Sequence, residues 1–300
     1  MLRKLLSQLS NKQIQRPIFI LGCGRSGTTI FGTTLSQHRD ITYLNERRDI
    51  WHQAYPIADI WSEQAKARGG KMKLTAADAN PEKSALLRTL FHRQTIKTSR
   101  PVLVEKLPIN NFRVEFIHSI FPDARFIHIF RNGLEVAKSI QKMSEAGKWF
   151  GPNEYKWQQL SDYAKNDPAT EKLPALCDSY YHKGLLEWRL STESVVRFLG
   201  QLAGDKYMEI SYSALTGDAS GTLAKVVDYL EIGPDPNLTN FIETNISRRT
   251  ANLENSALTE TEAQLGGQLL PFSQEDNGEG LTNIYRRLEL AQRAVHESVG

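Results

Sequence analysis

Two cysteines in 300 residues are too few for a disulfide framework or a four-cysteine zinc site, so Cys23 and Cys177 read as buried thiols. No apolar run approaches the ~20 residues of a membrane span. The N-terminal MLRKLLSQLS has no long apolar core or cleavage site of the signal-peptide kind, and the expectation is a cytoplasmic protein with no integral membrane segment. Leu2, Leu5, Leu6 and Leu9 do repeat at helical spacing beside Arg3 and Lys4. That pattern leaves room for weak membrane-surface contact, although a helix packed on the domain explains it better. A net charge of +3 is too small and too dispersed for a nucleic-acid tract and suits a small anionic ligand. Internal repeats and low-complexity tracts are absent.

What is present is a core-sized apolar fraction, 40%, arranged as short apolar runs alternating with helical patterns. PIFILGC from Pro17, ITYLNE ending at Glu46, PVLVEK ending at Lys106, ARFIHIF ending at Phe130 and KYMEIS from Lys206 read as five strands. TTIFGTTLSQ, NNFRVEFIHSI and a long stretch from Leu176 to Leu202 read as helices. The expectation is one α/β domain of P-loop type, a central parallel sheet with helices on both faces, over residues 1–272. Residues 145–174 break the periodicity but carry Trp149, Phe150, Tyr155, Trp157 and Tyr163, which suits an acceptor-side lid or insertion. Aromatics interleaved with Lys148, Asn153, Lys156 and Gln158 fit stacking on a ring with hydrogen bonds at its rim; a segment packed on its own aromatics fits as well. Residues 273–300 read as a polar linker and a last helix, with Ile284, Leu288, Leu290 and Ala291 on its apolar side.

The stretch GCGRSGTT, Gly22 to Thr29, nearly fits the phosphate-binding pattern of Gly, four residues, Gly, Lys, Ser or Thr. Thr28 stands where the lysine would be. A glycine-rich turn between a strand and a helix N-terminus presents successive N–H groups and the positive end of the helix dipole. Gly24 and Gly27 allow close approach of an oxyanion, and Arg25, Ser26, Thr28 and Thr29 add donors. The loop lacks the cation that reaches a triphosphate tail, and no apolar strand ends in the Asp of a metal-dependent phosphoryl-transfer site. A phosphosulfate, bound without metal, meets the description.

A second constellation lies in FIHIFRNGLEVAKSI. Arg131 sits at a strand tip and Ser139 eight residues on, in the second turn of the next helix. Ligands of open α/β sheets sit outside the carboxyl ends of the strands, so a guanidinium and a hydroxyl there can bind a second phosphate.

At these residues the chain resembles the sulfotransferases that use 3′-phosphoadenosine 5′-phosphosulfate (PAPS). Their 5′-phosphosulfate loop looks like GCGRSGTT, and their 3′-phosphate motif has the Arg, seven residues and Ser of RNGLEVAKS. YMEISYSALTGDASGTLAKVVDYLEI is similar to a later family segment, with Tyr212 and Leu215 in its Tyr-x-x-Leu, and ISRRTAN resembles the basic loop over the 3′-phosphate, giving Arg248 and Arg249. The cytosolic small-molecule branch carries a catalytic His two residues beyond a strand-end Lys; here EKLPIN keeps Lys106 without that His. The carbohydrate and bacterial branches use a Glu near the end of the second strand, which looks like Glu46. The resemblance thus implies a soluble bacterial type nearer the carbohydrate branch, with PAPS as co-substrate, adenosine 3′,5′-bisphosphate (PAP) as product and a hydroxyl of a carbohydrate, glycolipid or small metabolite as acceptor.

In that chemistry Glu46 is the general base and Arg25 and Lys106 stabilise charge on the sulfuryl and leaving oxygens. Glu46 precedes Arg47 and Arg48, so a surface ion pair is the lesser reading, with Asp49, His52 and Glu105 as reserve bases. Lys106 also suits a solvated strand end. His128 reads as a core histidine and Trp188 as a helix-packing residue. An atypical P-loop kinase and a non-catalytic nucleotide-binding module are the alternative functions.

Overall fold

The computed structural model describes residues 13–245, 257–274 and 279–299. The five apolar runs become strands β1 Ile18–Leu21, β2 Ile41–Asn45, β3 Val102–Lys106, β4 Arg125–Phe130 and β5 Tyr207–Ser211. They form one parallel sheet in the order β2-β3-β1-β4-β5. Central β1 is buried at every position, which is why it reads as an unbroken apolar run: both of its faces meet helices. The register sets Ile20 beside Lys106, and Lys106 beside Asn45. The chain leaves β1 first toward β2 on one side and reaches β4 on the other, so the crevice outside the carboxyl end of β1 is the switch point of the sheet.

The helices are α1 Thr28–Leu35, α2 Arg48–Ala54, α3 Pro81–Thr98, α4 Val114–Ile120, α5 Gly133–Glu145, α6 Tyr155–Lys165, α7 Tyr180–Leu199, α8 Tyr212–Gly217, α9 Ala219–Leu230, α10 Pro236–Asn245, α11 Glu260–Gly266, α12 Leu270–Gln274 and α13 Leu281–Val299. Alternate residues of a strand face opposite ways. Phe19 and Leu21 therefore join Trp51, Phe91, Phe116, Ile140 and Trp188 on one face, while Ile18 and Ile20 join Phe31, Leu35, Val226 and Ile242 on the other. Asn132 caps α5, its side chain accepting from the N–H groups of Leu134 and Glu135, and Ser179 caps α7 by accepting from His182 N–H.

Several details differ from the sequence reading. Residues 145–174 hold a helix, α6, whose Leu160 and Ala164 are buried one turn apart; Gly147 and Gly151, both at positive φ, interrupt the segment upstream and hide its period. Helices α2 and α3 occupy a region in which no element is legible, because α3 buries only Leu87, Leu90, Phe91 and Thr95 of its 18 residues. Cys23 is buried, but Cys177 only partly so. On α13 Ile284 is buried and Leu288 packs on the core, whereas Leu290 is 65% exposed. His128 is buried, as a core histidine should be, and its Nδ1 lies 2.9 Å from Glu209 Oε1, while Glu209 Oε2 accepts from Thr282 N–H at the start of α13. The leucine stripe of residues 1–12 and Arg248 and Arg249 lie outside the described residues. Among the described residues no helix is long and apolar enough to cross a membrane.

Trp188 is fully buried, and its indole N–H donates to the Arg131 carbonyl at 3.1 Å, so α7 fixes the tip of β4. Gly133 leaves room for that ring: an ideal Cβ there would lie 2.8 Å from Trp188 and from Leu270. Ala is the better helix former by roughly 1 kcal/mol, yet overpacking costs about 1–3 kcal/mol. Gly133→Ala should therefore lower the stability measured by urea unfolding; a gain in stability would show that the ring is free to move.

Candidate active site

After β1 the chain turns through Gly22–Gly27 into α1. Arg25 takes φ 76 although it has a side chain, a strained conformation costing of order 1–3 kcal/mol that persists where surrounding structure dictates it. Gly27, at φ 93, lies against the Tyr212 ring, where a Cβ would collide. The loop is anchored at its start by Asn111, whose Oδ1 accepts from Gly22 N–H at 2.9 Å and whose Nδ2 donates to Ser191 Oγ at 2.5 Å. Gly27 at the start of α1 has no side chain with which to cap it, and among the described residues the buried Ser26 Oγ has no hydrogen-bond partner. Donors without acceptors at a helix N-terminus are what an oxyanion fits.

The second constellation joins this loop. Arg25 Nε donates to Ser139 Oγ at 2.9 Å, and Arg131 Nη1 donates to the Arg25 carbonyl at 3.2 Å. Arg131 also donates to Glu135 Oε2 at 2.7 Å and lies 4.4 Å over the Tyr212 ring. Four residues singled out in separate stretches of sequence thus form one cluster.

On the other side of the loop stand Glu46 and Lys106. Lys106 is 1% exposed, not a solvated strand end. Its Nζ donates to Glu46 Oε1 at 2.7 Å and to Thr29 Oγ1 at 3.0 Å. Arg48 donates to Glu46 Oε2 at 3.0 Å, and Glu46, just past β2, adopts φ 50. Partial burial pushes the Glu46 carboxyl up, but the hydrogen bond and charge of Lys106, together with Arg48, outweigh it and hold the group below the usual glutamate range. Glu105 points to the opposite face of the sheet, where it accepts from Trp51 Nε1 and Asn110 Nδ2 and burial pushes it up to about 7. Asp49 pairs with Arg47 at 2.7 Å.

Glu46 lines a cavity of about 440 Å³ together with Gly24, Arg48, Trp61, Lys148 and Trp149. Leu107, Pro108, Ile109 and Phe112 add apolar lining, and Lys156, Glu187 and Ser191 add polar lining. Asp49, His52 and Glu105 do not line it. The Arg48 guanidinium lies over the Trp61 ring, 4.2 Å from its centroid.

The sulfotransferase family model matches residues 17–236. The chain belongs to that family. Three solved structures share the fold: a sulfotransferase domain from the curacin biosynthetic pathway (TM-score 0.53, 14% identity, 88% of this chain and 99% of that one), one from the Synechococcus PCC 7002 olefin synthase (0.52, 17%, 88% and 96%), and STF9 from Mycobacterium avium (0.52, 12%, 89% and 76%). An uncharacterized protein of Aquifex aeolicus is 31% identical over 139 residues, 45% of this chain, a stretch that is only 18% of that protein.

In this family member the sequence reading missed Asn111, Ser191, Trp61 and Glu187. Glu187 alone left a signal, a carboxylate between the apolar Leu186 and Trp188 of a helix. Of the aromatics expected to face an acceptor, only Trp149 lines the cavity. Phe150 packs between Trp157 and Tyr180, Tyr163 packs on Phe112, and Tyr155 donates to the Gly70 carbonyl.

Because the Glu46 carboxyl is lowered on folding, its contribution to stability is complete above the ordinary glutamate value and disappears as pH falls through the lowered one. Lys106→Met removes the nearest cation and leaves the burial. The Glu46 titration, followed by carbon-13 NMR of its carboxyl, should then move upward; an unmoved titration would mean that Arg48 alone sets it.

Proposed function

We propose that the protein transfers the sulfuryl group of PAPS to a hydroxyl of a small-molecule or carbohydrate acceptor, with Glu46 as general base. The observation that carries this reading is the contact of Glu46 with Lys106, and of Lys106 with Thr29, where the phosphate loop opens into the cavity. The orphaned Ser26 hydroxyl and the uncapped start of α1 support an anion in the loop.

PAPS supplies a sulfuryl group whose S–O bond to the 5′-phosphate breaks as PAP leaves. The loop residues Gly24, Ser26, Gly27, Thr28 and Thr29 hold the phosphosulfate end through N–H and hydroxyl donors, with Arg25 adding charge. Arg131 and Ser139 hold the 3′-phosphate, and Tyr212 keeps the Arg131 guanidinium in place from below. The resemblance adds Arg248 and Arg249 as its cover. Lys106 stabilises negative charge at the leaving oxygen; since one ammonium serves both Thr29 and Glu46, an oxyanion in the loop competes for it and lets Glu46 become more basic. Glu46 then accepts the proton of a hydroxyl placed in the cavity, an effect typically worth ~10²- to 10⁴-fold. Residues 145–174 act as the acceptor-side lid of a domain spanning 1–272, a reading supported by Lys148, Trp149 and Lys156 in the cavity wall. A cytoplasmic location fits the same reading.

Glu46→Gln preserves shape and an acceptor for Lys106 while removing basicity. Turnover on an acceptor found by mass-spectrometric screening should fall ~10²- to 10⁴-fold with PAP affinity unchanged; normal turnover would assign the proton elsewhere. In titration calorimetry Arg131→Ala should weaken PAP by about 1.5–3 kcal/mol and adenosine 5′-phosphate far less. Equal weakening of both nucleotides would remove Arg131 from the 3′-phosphate.

A further inference from the structure

Glu187 is a charged residue between Leu186 and Trp188 on the buried side of α7, and the proposed chemistry leaves it unused. Its side chain is 5% exposed. Oε2 accepts from Trp149 Nε1 at 2.7 Å and Oε1 from Lys156 Nζ at 2.6 Å, and the same ammonium lies 4.2 Å over the Trp149 ring. A carboxylate taken out of water is costly unless its oxygens are bonded. This one is bonded through the segment that leads into α6, so the segment must be seated for Glu187 to be satisfied.

The seat is the phosphate loop itself. An ideal Cβ at Gly24 would lie 2.5 Å from the Trp149 ring, so the indole rests directly on the loop backbone. One turn along α7, Ser191 holds Asn111, and Asn111 holds Gly22 N–H. Residues four apart share a helix face. One face of α7 therefore sets both the start of the phosphate loop and the indole that covers it, and Gly24, Trp149, Lys156, Glu187 and Ser191 line the cavity that Glu46 lines.

We propose that Glu187 is a positioning residue that seats Trp149 on Gly24, so that the indole walls the sulfuryl end of the bound donor from water. The proposal rests on the reading of PAPS as donor. Closing a site against water suppresses hydrolysis of a reactive group. Without that wall a water oxygen attacks the sulfur, the bond to the 5′-phosphate oxygen breaks, PAP and sulfate leave, and the two protons of the water pass to Glu46 and to the leaving phosphate oxygen or solvent.

The experiment needs no acceptor: PAPS alone is the probe, and PAP release is followed together with PAP affinity and hydrogen exchange over residues 147–156. The double variant Glu187→Leu/Lys156→Met replaces the ion pair by apolar groups of similar size, a change that need not destabilise. It should release PAP about tenfold faster than the parent, the effect of one lost hydrogen bond, with faster exchange over 147–156 and PAP affinity within about twofold. Glu187→Gln/Lys156→Met keeps an acceptor oxygen for the indole N–H and should restore the slow rate. Trp149→Phe, which leaves the ion pair in place, should leak as the first variant does and serves if that variant fails to fold.

Parental rates in both the first variant and Trp149→Phe would overturn the proposal. A leak unrescued by the Gln variant would overturn it too, as would a loss of PAP affinity parallel to the leak, since the loop itself would then have collapsed. If the parent binds no PAP, the donor assignment fails first and the proposal with it; that result is read before any variant is made.

Discussion

The Lys106 ammonium is 1% exposed, and a charge withdrawn from water to that extent costs several kcal/mol unless it is matched. Its match comes from two places far apart in sequence, the Glu46 carboxylate just beyond β2 and the Thr29 hydroxyl in the first turn of α1. Those partners reach it only because β3 lies between β2 and β1 and the register sets Asn45, Lys106 and Ile20 level. Sheet order, helix placement and site electrostatics thus depend on one another through a single side chain.

The same pair explains the state of Glu46. An isolated half-buried carboxyl would titrate high, whereas the observed contacts hold it low. A group so held is ionised and ready to accept a proton, yet is a weaker base than its burial alone would make it. Sharing the ammonium with Thr29 couples the Glu46 carboxyl to the first turn of α1.

Helix α7 is the second organising element. Its Trp188 fixes the Arg131 carbonyl, its Ser191 fixes Asn111 and through it the loop, and its Glu187 fixes the indole over Gly24. Three hydrogen bonds from one helix therefore orient the tip of β4, the start of the glycine-rich loop and the near wall of the cavity. Protein interiors are packed as densely as crystals, so such a helix transmits a displacement at one of these points to the others.

By itself the sequence determined the five strands, the parallel α/β class and the glycine-rich turn that enters α1, because each is written in local pattern. A buried parallel strand must be apolar at every position, and a loop that turns onto a helix N-terminus must carry glycine and short donors. Tertiary structure alone decided that Lys106 is buried against Glu46, 60 residues away, that Arg25 meets Ser139, 114 residues away, and that Trp149 turns toward the cavity while Phe150 turns into the core. A charged residue such as Glu187 reads locally as a flaw in an apolar stripe. Only strand register and helix rotation, which no window of neighbouring residues contains, bring it the indole and ammonium that satisfy both of its oxygens.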